Sequence, residues 1–240
     1  MKVLLNTLIV IALLVSSGTL FAASLTDRLY NDDESAWKAN NTMLKSVMAL
    51  DNIMEDPDNC IPPSLIDQAE GIVIFPGAFK LAVGVAGGQG ARGVALVRLE
   101  NGNWSNPFFV SMGEGSFGLQ LGAQKSDIVL LFKDKSDIMG LDKTEITLGA
   151  DVGVAAGPVS KGSSATTNFK FDSEIYSYSQ SKGLFAGVSF KGGILSYNES
   201  VNESLYGMAD ISTDYIFHEI ASPYNDRVFD LIEVIDIYGN

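Results

Sequence analysis

The chain has 240 residues, 29 acidic side chains against 16 basic ones, a net charge of −13 and one cysteine. A nucleic-acid partner calls for a basic stripe that replaces phosphate counterions, and none is visible, so that class is excluded. One cysteine cannot form an internal disulfide, so the fold must stand on its apolar core, which roughly 215 residues beyond the leader can supply.

The leader comes first. Met1-Lys2 is followed by an uncharged run from Val3 to Val15, then by Ser16-Ser17-Gly18-Thr19 and Leu20-Phe21-Ala22-Ala23-Ser24. This is the charged start, apolar middle and small-residue exit of a secretory signal peptide, with cleavage expected near Ala22 to Ser24. A retained anchor is the alternative, but the second half of the run is small and polar. With no cysteine near the exit, a lipid-modified amino terminus is excluded. Residues 1–24 are therefore expected to be removed and 25–240 to form a single domain, exported to the periplasm or the outside of a bacterial envelope.

Residues 34–51 repeat apolar groups at helical spacing, with Trp37, Leu44, Val47 and Met48 on one side as the expected buried face. Cys60 lies in a proline-flanked stretch and reads as a partly covered free thiol. Pro62-Pro63-Ser64 starts a second short helix with Ser64 as its cap, and Gly71 ends it.

From Ile72 to Tyr197 the pattern is strand-like, broken by Gly, Asn, Asp and Pro. The expected strands are 72–75, 79–86, 92–99, 104–111, 116–124, 127–132, 145–156, 168–178, 184–190 and 194–197, which suits an antiparallel sandwich or barrel. Hairpin turns are expected at Asn101-Gly102 and at Gly87-Gly88-Gln89-Gly90. The tail returns to helix at 214–221 and again at 226–238, where Val228, Leu231, Ile232 and Ile235 share a side opposite Asp226, Asp230 and Glu233. The fold class is thus α+β, a glycine-rich antiparallel or barrel-like sheet with amphipathic helices from both ends packed on it.

Gly88-Gln89-Gly90-Ala91-Arg92-Gly93 matches the spacing of a dinucleotide-binding turn. That turn works between a strand and a helix whose amides hold the pyrophosphate, and here a β-branched run follows instead. No cofactor is expected. Many of the 24 glycines lie within strand patterns. In 116–124 the even positions include Gly118 and Gly122, and in 145–157 the odd ones include Gly149, Gly153 and Gly157, so each strand has an apolar face and a bare one. The bare face suits flat packing, tight curvature or the floor of a groove for an extended ligand.

Catalytic signals are thin. His218 is the only histidine, without a second at the zinc-protease spacing, and no G-x-S-x-G elbow occurs. Asp127 and Asp151 form a conceivable hydrolytic carboxylate pair with no separation that the sequence can give. No clustered His or Cys ligands or calcium loop suggest a metal. An outer-membrane barrel would carry an apolar band on every strand, yet 168–178 is polar on both faces.

Several ordered segments carry a resemblance: Gly71-Ile72-Val73-Ile74-Phe75-Pro76; Lys80 with Gly84 and Gly93; Asn103-Trp104-Ser105-Asn106-Pro107; Gly118-Leu119-Gln120-Leu121-Gly122; Leu148-Gly149-Ala150-Asp151 with Ala155-Ala156-Gly157-Pro158; Tyr176-Ser177-Tyr178-Ser179; Lys182-Gly183-Leu184-Phe185-Ala186-Gly187-Val188-Ser189; and Asn202 with Tyr206-Gly207. Over about 35–207 the chain resembles the SYLF domain family. The resemblance implies binding rather than catalysis, since members are described as binding phosphoinositides and other phospholipids, and the yeast relatives as binding actin filaments. In the animal adaptors lipid binding leans on a basic amino-terminal segment, whereas Asp27, Asp32, Asp33 and Glu34 make this region acidic.

The expected function is therefore that of an exported non-enzymatic protein binding phospholipid or an anionic membrane surface, or else serving as a protein-interaction module of the envelope. Headgroup candidates are the cations near turns and strand ends: Lys80, Arg92, Arg98, Lys161, Lys182 and Lys191. Arg92 and Arg98 share strand parity, and Trp104, Phe108 and Phe185 are aromatics suited to the core or to lipid.

Overall fold

The computed structural model describes residues 34–56, 60–159, 169–181, 184–186, 192–218 and 226–239, and of 82–86, 116–122 and 184–186 the backbone alone. Helix α1 occupies 34–54. Next come α2 (Pro63–Gln68), β1 (Gly71–Val97), β2 (Phe108–Phe132), α3 (Ser136–Met139), β3 (Ile146–Leu148), β4 (Val154–Ala156), β5 (Ile175–Ser181), β6 (Leu184–Ala186), β7 (Gly193–Tyr197), α4 (Glu199–Tyr206), α5 (Thr213–Phe217) and α6 (Asp226–Gly239). Among the described residues these strands form one sheet, β3-β7-β2-β5-β4, with β1 also on β2 and β6 on β5. The α+β reading holds, with one departure: β4 runs parallel to β5 while every other pair is antiparallel.

The sheet is built on one long ribbon. The three strands expected between Ile72 and Leu99 are a single 27-residue strand, and those expected between 104 and 132 are a single 25-residue partner. Register shifts at Phe75/Ala78 and Gly84/Ala86 interrupt the pairing without ending it. At the first of them the Gly77 N–H donates to Asp127 Oδ1 at 2.7 Å. A bulge of this kind bends a strand and increases its twist, which curls a long ribbon toward a barrel. The turn expected at Gly87 to Gly90 does not exist. Gly88 pairs with Gly115 and Gly90 with Gly113, so glycine faces glycine in mid-ribbon. The Asn101-Gly102 turn is present, with the Gly102 N–H donating to Leu99 O at 2.9 Å and the Leu99 N–H to Asn103 O at 2.8 Å.

Two cores lie on opposite faces of the sheet. Ile72, Ile74, Val94, Leu96, Val129 and Leu131 face the layer made by α1, α2 and α6. Their neighbours Val73, Phe75, Ala95, Val97, Leu130 and Phe132 face the inside of the curl, closed by Ile138 of α3 and by Ile216 and Phe217 of α5. Because both faces are covered, the central strands are near-continuous apolar runs rather than alternating ones. The helical layer is tied together by α6, whose Val228, Leu231 and Ile235 are buried and whose Tyr238 hydroxyl donates to Asp51 Oδ1 of α1 at 2.9 Å. Helix α2 begins at Pro63 with Pro62 in the cap position; Ser64 is inside the helix, its hydroxyl buried without a hydrogen-bond partner. Gly71 is the first residue of β1 rather than a helix terminator.

Where β7 ends, a side chain continues its ladder. Asn202 of α4 is fully buried. Its Oδ1 accepts from the Phe109 N–H at 2.6 Å and its Nδ2 donates to Phe109 O at 2.9 Å. Tyr206, one turn on, donates to Pro107 O at 2.6 Å, and Gly207 closes the helix in the left-handed region at φ 64°. These three residues fasten α4 to the start of β2.

Candidate functional site

Helix α1 carries the largest departure from the sequence expectation. Its buried residues are Ala39, Met43, Ser46, Ala49, Leu50 and Ile53, a repeat of alternating three and four residues. Of the side expected to be buried, Trp37, Leu44 and Met48 are 64%, 39% and 55% exposed, while Val47 is half-buried against the core. At 100° per residue the two sets lie roughly 160° apart around the helix, so α1 has one apolar stripe in the core and a second facing outward. The outer stripe is about 16 Å long, from 1.5 Å of rise per residue. Asn40 and Lys45 flank it, both exposed.

Among the described residues the expected headgroup cations Lys80, Arg92 and Arg98 are spread along β1 and just past its end. Lys80 and Arg92 are exposed on β1, twelve positions apart along the ribbon. Arg92 is close enough to Glu34 to help the nearer Lys38 hold that carboxyl below the usual range; the Lys38 pair, at 2.7 Å, is the main cause. Arg98 is committed to the fold: its Nε donates to Ala69 O at 3.2 Å, one terminal nitrogen to Ile66 O at 3.2 Å and the other to Gly102 O at 2.9 Å. It also lies 4.3 Å from the ring centre of Trp104. Arg98 thus locks the last carbonyls of α2 onto the 98–104 turn. Lys161, Lys182 and Lys191 lie outside the described residues.

The glycine positions separate in the same way. Gly122 pairs with Ala82 in mid-ribbon, and Gly118 sits within the second register shift, where β2 carries an extra residue. The expected strand 145–156 is two short strands joined by a turn, with Gly149 at φ 78°, so its bare face does not exist as a surface. The short Thr147 to Asp151 backbone and carboxylate contacts fold this turn. The Gly153 N–H donates to Glu174 Oε2. Gly157 lies directly under the Tyr178 ring, with its Cβ position overlapped by Cζ and the hydroxyl, while that hydroxyl donates to Pro158 O at 3.1 Å. The space left by this glycine is filled by a buried tyrosine and is not a groove floor. Of the aromatics, Trp104 and Phe108 are buried in the two cores, and the side chain of Phe185 is not described.

The residues weighed for catalysis serve the backbone. Asp127 accepts from Gly77 and Asp151 from Thr147, and exposed His218 holds its Nδ1 2.6 Å from Asp214 O. Burial pushes the Cys60 thiol up, away from thiolate character. Sequence spacing missed one grouping. Among the described residues the carboxylate oxygens of Glu199, Glu203 and Asp210 lie within 4.8 Å of one another, drawn together by the turn in which the Asp210 N–H donates to Glu203 Oε1 at 2.7 Å. Among the described residues no helix is long and apolar enough to cross a membrane.

Residues 113–238, more than half of the chain, match the family described as "Ysc84: Las17-binding protein actin regulator". The chain is 30% identical over 184 residues to SH3 domain-containing YSC84-like protein 1 of Xenopus laevis, covering 76% of this chain and 54% of the relative. It is 28% identical over 183 residues to the human protein of the same name, covering 76% and 52%. Against Protein YSC84 of Saccharomyces cerevisiae it is 32% identical over 154 residues, covering 62% and 32%. The chain spans about half the length, or less, of these curated relatives. The family is described by binding and regulation, and the matched residues run from within β2 through α6: the chain belongs to the Ysc84 family of SYLF-domain proteins.

Proposed function

We propose that the protein is an exported, non-enzymatic binding module that docks on a phospholipid surface of the cell envelope through the outer stripe of α1. The observation that carries this reading is Trp37, Leu44 and Met48 exposed in one line on a helix whose opposite side is anchored in the core. A rigidly mounted apolar line of this kind loses little conformational freedom on docking, and tryptophan is suited to the boundary between headgroups and acyl chains. Lys45 beside the stripe and Arg92 near the start of α1 supply headgroup-facing charge. With a chain charge of −13, attraction is local and the apolar contact carries most of the affinity. Lys80 and the lysines at 161, 182 and 191 are secondary contacts in this reading.

The test is co-sedimentation of the chain beginning at Leu25 with phosphatidylcholine and phosphatidylglycerol vesicles. The expected result is binding that falls at least about tenfold when Trp37, Leu44 and Met48 are all changed to alanine, with only a modest loss for Arg92→Ala and a weak dependence on salt. Equal binding by the triple variant, or binding abolished by moderate salt, overturns the reading. Absence of vesicle binding together with stripe-dependent capture of an envelope protein would instead favour an interaction module.

A further inference from the structure

A second recess, distant in role from the α1 stripe, opens where the 98–104 turn meets α3 and α5. It has a volume of about 370 Å³, within the range of small-ligand clefts. Its floor is the edge of the inner core, formed by Val97, Leu99, Met139 and Phe217, and its polar rim holds Arg98, Glu100, Asn101, Lys135 and His218. The lysine is held in place but not saturated. An ammonium has three donors. The Lys135 Nζ donates to Arg98 O at 3.0 Å, while its two carboxylate neighbours, Glu100 at 3.5 Å and Glu70 at 4.0 Å, are beyond ordinary hydrogen-bond length. Glu100 is fully exposed, so it is free to swing into water.

We propose that this cleft binds a small apolar monocarboxylate, with its hydrocarbon part on the Val97, Leu99, Met139 and Phe217 floor and its carboxylate on the Lys135 ammonium. A greasy recess with one partly satisfied cation at its mouth complements that chemistry in both halves. A cationic ligand would meet Lys135, and a fully polar one would strip water from the floor for no return. Occupancy displaces Glu100, whose own charge opposes the incoming acid. This gives the site a signature that damage to the fold cannot imitate, namely a surface substitution that tightens binding.

The experiment is isothermal titration of the full chain with 4-phenylbutyrate, and with 4-phenylbutanamide as the uncharged match. Saturable binding of the acid at one site per chain is expected, with the amide at least about tenfold weaker. Lys135→Met should weaken the acid by a similar factor while sparing the amide, and Glu100→Gln should strengthen the acid several-fold. No saturable binding of the acid, equal binding of acid and amide, or no gain in Glu100→Gln would each overturn the proposal. The last two comparisons stand even if Lys135→Met fails to fold.

Discussion

Replacing Asn202 with alanine removes the amide that stands in for a missing strand residue. The Phe109 N–H then loses the acceptor 2.6 Å away, and Phe109 O keeps only the Asn198 N–H at 2.9 Å. A buried donor left without a partner costs about 1–3 kcal/mol, and the second bond about 0.5–1.5 more, so the expected loss is about 2–4 kcal/mol. For a domain of this size that lowers Tm by about 4–16 °C, measurable by calorimetry and by urea denaturation. Asn202→Asp makes a sharper test. It keeps an acceptor for the N–H but aims a carboxylate oxygen at Phe109 O in a fully buried position, so its folded-state pKa is raised. A group raised in this way contributes its stability below the unfolded pKa and loses it as pH rises through the folded value. The aspartate variant should therefore be close to native at pH 4 and well below it at pH 7, while the alanine variant shows no such recovery. An alanine variant within about 0.5 kcal/mol of the parent, or an aspartate variant with no pH dependence beyond the parent's, would refute the backbone-mimic role.

Gly157→Ala places a methyl group where the buried Tyr178 ring lies, so a loss of about 1–3 kcal/mol is expected in urea denaturation; an unchanged midpoint would show that the ring moves freely. Arg98→Ala removes three side-chain hydrogen bonds and the contact with Trp104, and should cost about 2–4 kcal/mol with a change in Trp104 emission, whereas Arg92→Ala should be nearly silent in stability. Burial pushes Tyr178, Tyr197 and Tyr206 above the ordinary tyrosine range, and burial followed by the Asp51 bond pushes Tyr238 up to about 12. Raised folded values mean stability that is complete below the unfolded pKa of about 10 and is lost as pH rises through the folded ones. Urea midpoints should thus fall between pH 9.5 and 11.5, and tyrosine absorbance that titrates fully near pH 10 without unfolding would contradict this.

Much of the architecture is legible where one physical signal acts alone. The apolar repeat of α6 meets a single buried face, and Asn101-Gly102 closes a tight turn in the form such residues favour. Gly87 to Gly90 misleads because glycine usually marks a turn, yet here it opposes Gly113 and Gly115 within a ribbon. Residues 145–156 alternate like a strand, but Gly149 turns them at φ 78° and the Asp151 carboxylate holds the turn. The face of α1 was ambiguous for a different reason. Its core stripe is spelled with small residues, Ala39, Ser46 and Ala49 beside Met43, Leu50 and Ile53, so the bulkier outer stripe dominates any reading of periodicity. The partners of Arg98 depend on contacts between α2 and a turn some thirty residues later, which no local pattern encodes.

Docking through α1 requires Trp37 to meet lipid, and the chain's two tryptophans make that directly measurable, because Trp104 is buried and shielded beneath Arg98. The measurement is tryptophan fluorescence on vesicles whose acyl chains carry bromine. Quenching and a blue shift of the exposed component, both abolished in Trp37→Phe, are the predicted result. Emission unchanged by vesicles, or quenching that persists in Trp37→Phe, would contradict docking through α1.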